Sequence, residues 1–412
     1  MNGLHSWVTD DENHRMKKIL VYLHENELAP TGGPKGYNYN LLQGLKEIGV
    51  IDQPDSIQIC YLPGEAVAAG VNDKIGQIKN KTLQNAIKAA KSIYKKGQMM
   101  YGHKHVAQVD LTEYDAVHFH LTMDLYWAKD SLKNYRGKVL LTSHTPTMPA
   151  KEIFSLLTDF EKKYMKWFYK KLPEIDIFAF NRADYIVFPC PEAEEPYYHE
   201  WPGYAQLHEK NKQKYLYVPT GTGEKAALMS KAGIRKKYGI PQQAFVVSYV
   251  GRHNEIKGYS SLKEIGKKFL NEHENVYFLI AGKEGPLYHL EHERWIEAGW
   301  TKDPGSIIQA ADVFVLPNKE TYFDLIMLEV LSLGQIILAT RTGGNKYFAQ
   351  FDTHGIVLYD EQKEALAALE RLIQITDEER EQLRQSNRAL YFNHFTNTVF
   401  AKNYLKLIEG IL

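Results

Sequence analysis

At 412 residues the chain is too long for one ordinary hydrophobic core, so two domains of about 150–200 residues each are expected. Apolar residues make up 44% and charged residues 24%, the balance of a soluble globular protein. Lys plus Arg equals Asp plus Glu at 50 each, which excludes a global field for nucleic acid and confines any anion site to a local cluster.

Residues 1–15 are polar and read as a flexible extension, with the fold opening at Met16. No window of about eighteen apolar residues exists, so the expectation is a cytoplasmic protein without signal peptide or membrane span. The two cysteines, Cys60 and Cys190, exclude a disulfide framework and read as buried, inert thiols. An apolar run at 19–23 leads through Gly32-Gly33-Pro34 into a helical pattern at Leu41, Leu42, Leu45 and Ile48, giving strand, glycine loop and helix. The glycine pair is either a simple turn or a place where backbone approaches a ligand closely. Further strand-like runs lie at 57–62, 116–119, 139–141, 185–188 and 215–218.

After a small-residue hinge at 220–223 and a helix around 235–238, near-continuous aliphatic runs recur at 245–250, 276–280, 313–316, 336–339 and 356–358. Such runs are central parallel strands buried on both faces. The predicted fold class is α/β with two parallel sheets: a first domain at 16–222, a second at 223–392, and a terminal helical segment at 393–412.

Four stretches carry candidate chemistry. The run 313–316 ends in Pro317, and from Asp324 the spacing of Leu325, Leu328, Val330 and Leu331 predicts a helix closed by Gly334, with Glu329 two turns in. Its free N–H groups point beyond the strand, where ligands of parallel sheets bind. In 251–258, Gly251 and Gly258 frame Arg252 and Lys257; two cations past a strand end suit a diphosphate, or form a solvated basic loop. His120 and His144 each end a strand and are placed to hydrogen-bond a substrate hydroxyl, while His118 reads equally as structural. His118 and His120 lack a third ligand at metal spacing, and the group His289, Glu291, His292 and Glu293 reads as a charged helix face; no metal site is expected. Between 154 and 171, aromatics and lysines alternate, suiting either an anionic membrane surface or a surface helix pair with snorkelling lysines.

Taken together, Gly32-Gly33, His120, Gly251-Arg252, Lys257-Gly258, the segment 311–317, Glu329 and Gly343-Gly344 resemble, in order and spacing, the family-four GT-B glycosyltransferases. The resemblance implies two Rossmann-like domains facing across a cleft, with the terminal helix crossing back to the first. It implies retaining transfer from a nucleotide-diphosphate sugar with no cofactor and no catalytic metal. By position, Arg252 and Lys257 resemble the pair that neutralises the diphosphate, and Glu329 the carboxylate on the ribose. Phe323, Asp324 and Leu325 resemble the turn that holds the sugar, and Gly32-Gly33 the loop closing over the phosphates. His120 resembles the histidine touching the transferred sugar, and 299–303, with Trp300, the nucleobase slot. Two departures fall on the donor turn: Thr321 stands where the family carries a glutamate, with Glu320 one residue earlier, and Asp324 where it carries a glycine. The implied setting is surface-glycan or glycoprotein assembly on a glycan, lipid-linked or protein acceptor, in the cytoplasm or at the inner membrane face. The rival expectations are a non-catalytic subunit of the same fold that binds an acceptor or stabilises a partner transferase, and an enzyme that hydrolyses or epimerises the nucleotide sugar.

Overall fold

The computed structural model describes residues 15–23, 28–30, 32–52, 54, 56–62, 80–102, 105–155 and 157–412. Most of the expected extension, 1–14, therefore lies outside the described residues. Strands β1 (Lys17–Tyr22), β2 (Ile57–Tyr61), β3 (Ala116–Phe119), β4 (Lys138–Leu141), β5 (Tyr185–Phe188) and β6 (Tyr215–Tyr217) form one sheet in the order β2-β1-β3-β4-β5-β6. Strands β7 (Phe245–Val250), β8 (Val276–Ala281), β9 (Trp295–Gly299), β10 (Val313–Leu316), β11 (Ile337–Thr340) and β12 (Ile356–Tyr359) form the other, in the order β12-β11-β10-β7-β8-β9. Every pairing is parallel. This is the GT-B arrangement of two Rossmann-like sheets. The strand order reverses between β1 and β3 in the first sheet and between β7 and β10 in the second, so each sheet opens a crevice beyond those strand ends.

The C-terminal helix Asn397–Ile411 returns to the first sheet and packs on helix Pro34–Glu47. Phe400, Ala401, Tyr404 and Ile408 share a core with Tyr37, Leu41, Leu45, Ile57 and Ile59. The helices touch because Gly44 has no side chain: a Cβ there would sit 2.0 Å from the Asn397 carbonyl oxygen. Thr222 and Thr396 pair as a parallel bridge, and the Tyr391 hydroxyl donates to the Thr222 carbonyl at 2.8 Å. The outgoing and returning chains thus meet at one hinge. Among the described residues no helix is long and apolar enough to cross a membrane.

Several expectations change. β9 is a sixth strand that the runs did not reveal, because Trp-Ile-Glu-Ala-Gly is short, mixed in polarity and at the sheet edge. Strand β12 is the opposite edge, and Ile356, Val357 and Leu358 are only half-buried rather than central. Residues 283–292 form an extended connection instead of a charged helix, since Gly282, Gly285 and Pro286 break the backbone between β8 and β9. The 154–180 region is three helices, Pro149–Ser155, Asp159–Tyr164 and Lys166–Arg182, rather than a pair. Cys190 is buried as expected, but Cys60 is only half-buried.

Two buried ionic groups fix the scaffold. Arg235, 1% exposed on helix Lys231–Lys237, donates to the carbonyls of Ala310, Gln242 and Ala244 and to the Asp312 carboxylate at 2.9 Å. Asp312 also accepts from Lys231 and from the Val246 amide, so one carboxylate ties the helix to the starts of β7 and β10. Replacing Arg235 with Ala strands a buried carboxylate and three carbonyls. We expect Arg235→Ala to lower the unfolding free energy by about 3–5 kcal/mol, read from a urea midpoint; a loss below about 1 kcal/mol would contradict this role.

Asp176, buried on helix Lys166–Arg182, accepts from the Thr122 hydroxyl and from the Ala150 amide, both at 2.8 Å. Burial raises its pKa to about 7, against the partial opposition of those two hydrogen bonds. The native state therefore keeps this proton between about pH 4 and pH 7 while the unfolded chain loses it. Its stabilisation is complete below about pH 4 and is lost as pH rises to 7. Asp176→Asn should flatten the fall in melting temperature over that window relative to wild type; parallel curves would show that the proton is not linked to folding.

Candidate functional site

On the second sheet the candidate residues gather at the crevice between β7 and β10. The loop 251–258 after β7 lies directly on the chain leaving β10. Gly258 has φ +68°, and a Cβ there would come within 1.6 Å of the Pro317 carbonyl oxygen. The Lys319 amide donates to Ile256 at 2.9 Å and zips the two loops together. Lys257 Nζ reaches the two Asp324 oxygens at 2.8 and 2.5 Å, and Asn318 Nδ2 donates to Asp324 Oδ2 at 2.7 Å. Burial works to raise the Asp324 carboxyl, but Lys257, with Asn318 and Arg252, outweighs it and holds the pKa below the usual carboxylate value. Arg252 is exposed, and its guanidinium makes no hydrogen bond or ion pair among the described residues. One cation of the expected pair is thus engaged and the other free.

Asp324 occupies the N-cap position of helix Leu325–Ser332 without capping it through its side chain, so the first-turn N–H groups open toward the crevice. Gly334, with φ +67°, lies just past the helix end as expected. Glu329 is the fifth helical residue, little more than one turn in rather than two, and pairs with Lys225 at 3.2 Å. Lys225 had no sequence signal; the chain delivers it two residues past the hinge. Trp300 is 69% exposed beyond β9.

On the first sheet, three histidines lie ring against ring. His118 is structural: Nδ1 meets the Tyr404 hydroxyl at 3.0 Å and Nε2 the Thr142 hydroxyl at 2.9 Å. His120 Nδ1 lies 2.8 Å from His144 Nε2, one ring donating to the other. Burial depresses both pKa values, with His118 adding to the effect on each; His144 falls to about 3. The pair is therefore neutral at physiological pH. His144 has φ +58°, a left-handed backbone that costs about 1–3 kcal/mol in a non-glycine residue. His120 Nε2 is buried with no hydrogen-bond partner among the described residues. Gly33, φ +75°, caps helix Pro34–Glu47, and Cβ atoms at Gly32 or Gly33 would meet nothing within 4 Å, so this loop faces open space.

Two tyrosines that the sequence did not single out flank the histidines, and one of them comes from the second domain. Tyr37 packs edge-on to His144 (4.7 Å between ring centroids) and tilted on His120 (5.3 Å). Tyr322, from the donor turn, enters the first domain between Phe188 (5.5 Å) and His144 (6.4 Å). Both hydroxyls are buried and, among the described residues, unpartnered, like His120 Nε2. The turn is held in place from behind, since Cβ atoms at Gly343 and Gly344 would strike the Thr321 and Tyr322 carbonyls at 2.0 and 2.2 Å. Thr321 is buried, and Glu320 reaches the other way, to His199 of the first domain at 2.9 Å. Glu195 of the first domain accepts from Lys346 and from the Gly343 amide. Phe323 and Leu325 pack inward beside this turn.

The arrangement presents fixed positive charge and helix N–H groups on one wall and neutral hydrogen-bonding rings on the other. That suits a ligand anionic at one end and hydroxylated at the other. Among the described residues, Glu272, His273 and Glu370 form a group with metal-ligand spacing, but Glu272 and His273 lead into β8 and Glu370 lies late on helix Gln362–Gln374, at the end of the sheet away from the crevice. His289 is paired with Glu284 and Glu291 instead of joining a cluster.

Residues 244–374 match the family described as "Glycosyl transferases group 1". The lipopolysaccharide core biosynthesis glycosyltransferase LpsE of Rhizobium meliloti is 25% identical over 199 residues, 46% of this chain and 56% of that protein. An Escherichia coli enzyme, UDP-Gal:alpha-D-GlcNAc-diphosphoundecaprenol alpha-1,3-galactosyltransferase, is 26% identical over 197 residues, 42% and 50% of the two chains. The chain thus spans about half the length of these curated relatives. In fold, HepE of Anabaena superposes over 96% of this chain and all of its own, with TM-score 0.61 at 14% identity. Sucrose-phosphate synthase of Thermosynechococcus elongatus covers 96% and 99%, with TM-score 0.60 at 16% identity. The chain therefore has the GT-B fold, and its residues 244–374 are similar to the group 1 glycosyl transferases.

Proposed function

We propose that the protein moves a glycosyl group from a nucleotide-diphosphate sugar to a hydroxyl acceptor, with retention of configuration and without a catalytic metal. The observation that carries this reading is the convergence of Arg252, Lys257 and the N-terminus of helix Leu325–Ser332 at the crevice of the second sheet, opposite the neutral His120–His144 pair. As the bond from the sugar to the diphosphate breaks, negative charge grows on the leaving oxygens and the sugar becomes oxocarbenium-like. Fixed cations and helix N–H groups aimed at that charge favour the transition state over the ground state. With two cations supplied by the chain, a metal is redundant. Arg252, free and exposed, meets the diphosphate first, and Lys257 exchanges the Asp324 carboxylate for phosphate oxygen. The released Asp324 accepts from sugar hydroxyls, as does His120 through Nε2, while Glu329 holds the ribose beside Lys225. The names of the relatives support a sugar nucleotide as donor and surface-glycan assembly as setting: LpsE serves lipopolysaccharide core, the E. coli enzyme uses UDP-Gal, and the HepE structure holds UDP.

A second reading, a non-catalytic subunit of the same fold, is favoured by two observations: Asp324 already occupies Lys257, and Thr321 replaces the family's glutamate. A thermal-shift screen of nucleoside diphosphates and their sugars, followed by donor turnover with and without chelator, separates the two. We expect stabilisation by at least one diphosphate, turnover unaffected by chelator, and a loss of about 10²–10³ in kcat/KM for Arg252→Ala. Binding without turnover, or binding of no diphosphate, would remove the transferase reading and leave the subunit. Asp324→Asn frees Lys257, so calorimetry should show nucleoside diphosphate binding about tenfold tighter while sugar turnover falls. Weaker diphosphate binding would show that the carboxylate does not compete for Lys257.

A further inference from the structure

The lysine- and aromatic-rich stretch beyond β4 is not used by the cleft, and in the fold it is not alone. Helix Lys81–Tyr101 lies against it. Lys96 and Ser92 both bond the Glu161 carboxylate, the lysine at 2.8 Å, and the Tyr101 ring sits 5.5 Å from Trp167. Residues 81–101 and 159–171 together hold ten lysines, no arginine and two carboxylates, a net charge of +8 in a chain whose total is zero. One of those carboxylates, Glu161, is buried and already paired with Lys96. Five aromatics of the same two segments, Tyr94, Tyr101, Phe160, Tyr164 and Tyr169, are between 43% and 67% exposed. Their folding face is a different one: Met165, Phe168 and Leu172 fill the core beneath. The exposed rings therefore sit among cations on the outer side, where they contribute nothing to the core.

We propose that this face seats the protein on the surface of an anionic lipid bilayer. Lysine ammonium groups are attracted as point charges to a diffuse negative surface, and tyrosine and phenylalanine rings partition into the headgroup region. Nucleic acid recognition would favour the planar fork of arginine, which the patch lacks. The position also fits the cleft. His144 follows β4, helix Pro149–Ser155 begins five residues later, and the Phe154 ring of that helix packs tilted against Tyr169 of the patch, 4.2 Å between centroids. Resting on the proposed transferase function, the seat makes the acceptor a hydroxyl carried on a membrane-anchored lipid; the seat itself does not depend on that function.

The test is sedimentation of the full chain with vesicles of phosphatidylcholine alone and with one-third phosphatidylglycerol. The protein should pellet with the anionic vesicles only, and added salt should release it. Replacing Lys91, Lys95, Lys166 and Lys170 by Gln should weaken partitioning on the order of 100-fold or more. Tyr94→Ser with Tyr164→Ser should weaken it at unchanged charge. Equal pelleting with both vesicles, pelleting with neither, indifference to the lysine set or to the tyrosine pair, or preference for a single-stranded oligonucleotide would overturn the proposal. Nucleoside diphosphate stabilisation, measured on the same variants, reports the cleft separately. Vesicle binding without it sinks the transferase reading and leaves the seat standing.

Discussion

The return of helix Asn397–Ile411 to the first domain is the constraint on which the rest depends. The chain leaves that domain at Thr222 and comes back beside it at Thr396, so both covalent connections of the second domain run side by side. The contact requires a glycine at position 44, where two backbones meet without a side chain between them. It also reaches the site, since Tyr404 of the returning helix holds His118, whose ring lies against that of His120. Packing at the hinge and the orientation of the candidate catalytic imidazoles are thus one network.

Within the cleft the two walls use opposite electrostatics. The first-domain rings are buried deeply enough to stay neutral, so they act as hydrogen-bonding groups and not as charges. The second-domain wall concentrates charge and balances part of it internally, through Asp324 on Lys257. Such a wall is not an open anion trap. It holds a carboxylate in the place of the phosphate it is proposed to bind, which selects for ligands that displace that carboxylate and offer it new hydrogen bonds.

Much of this was legible in the sequence because strand burial is a one-dimensional signal. The aliphatic runs at 245–250 and 313–316 became β7 and β10, and Pro317 and Gly334 punctuated the donor helix where their backbone chemistry demands. The charged residues at strand ends were found because parallel sheets bind ligands there. What escaped was set by the third dimension. Edge strand β9 lacks a buried face to mark it. Tyr322 looks like any core aromatic until the domains are brought together. Lys225 becomes a partner of Glu329 only because the hinge places it there. Asp324 was noticed as a departure, but its bond to Lys257 spans 67 residues and no spacing rule announces it.

Tyr322 gives the closed arrangement a particular character. Its ring is seated in the other domain by burial, whereas the neighbouring contacts between domains, the ion pair of Glu195 with Lys346 and the hydrogen bond of His199 with Glu320, are polar pairs nearer the solvent. Ionic strength loosens the pairs and leaves the ring in place, so the latch between the domains is governed by hydration and temperature more than by salt. Opening it would move an aromatic surface into water, and a hydroxylated guest in the cleft would offer its phenol, that of Tyr37 and the His120 imidazole nitrogen the partners they lack among the described residues.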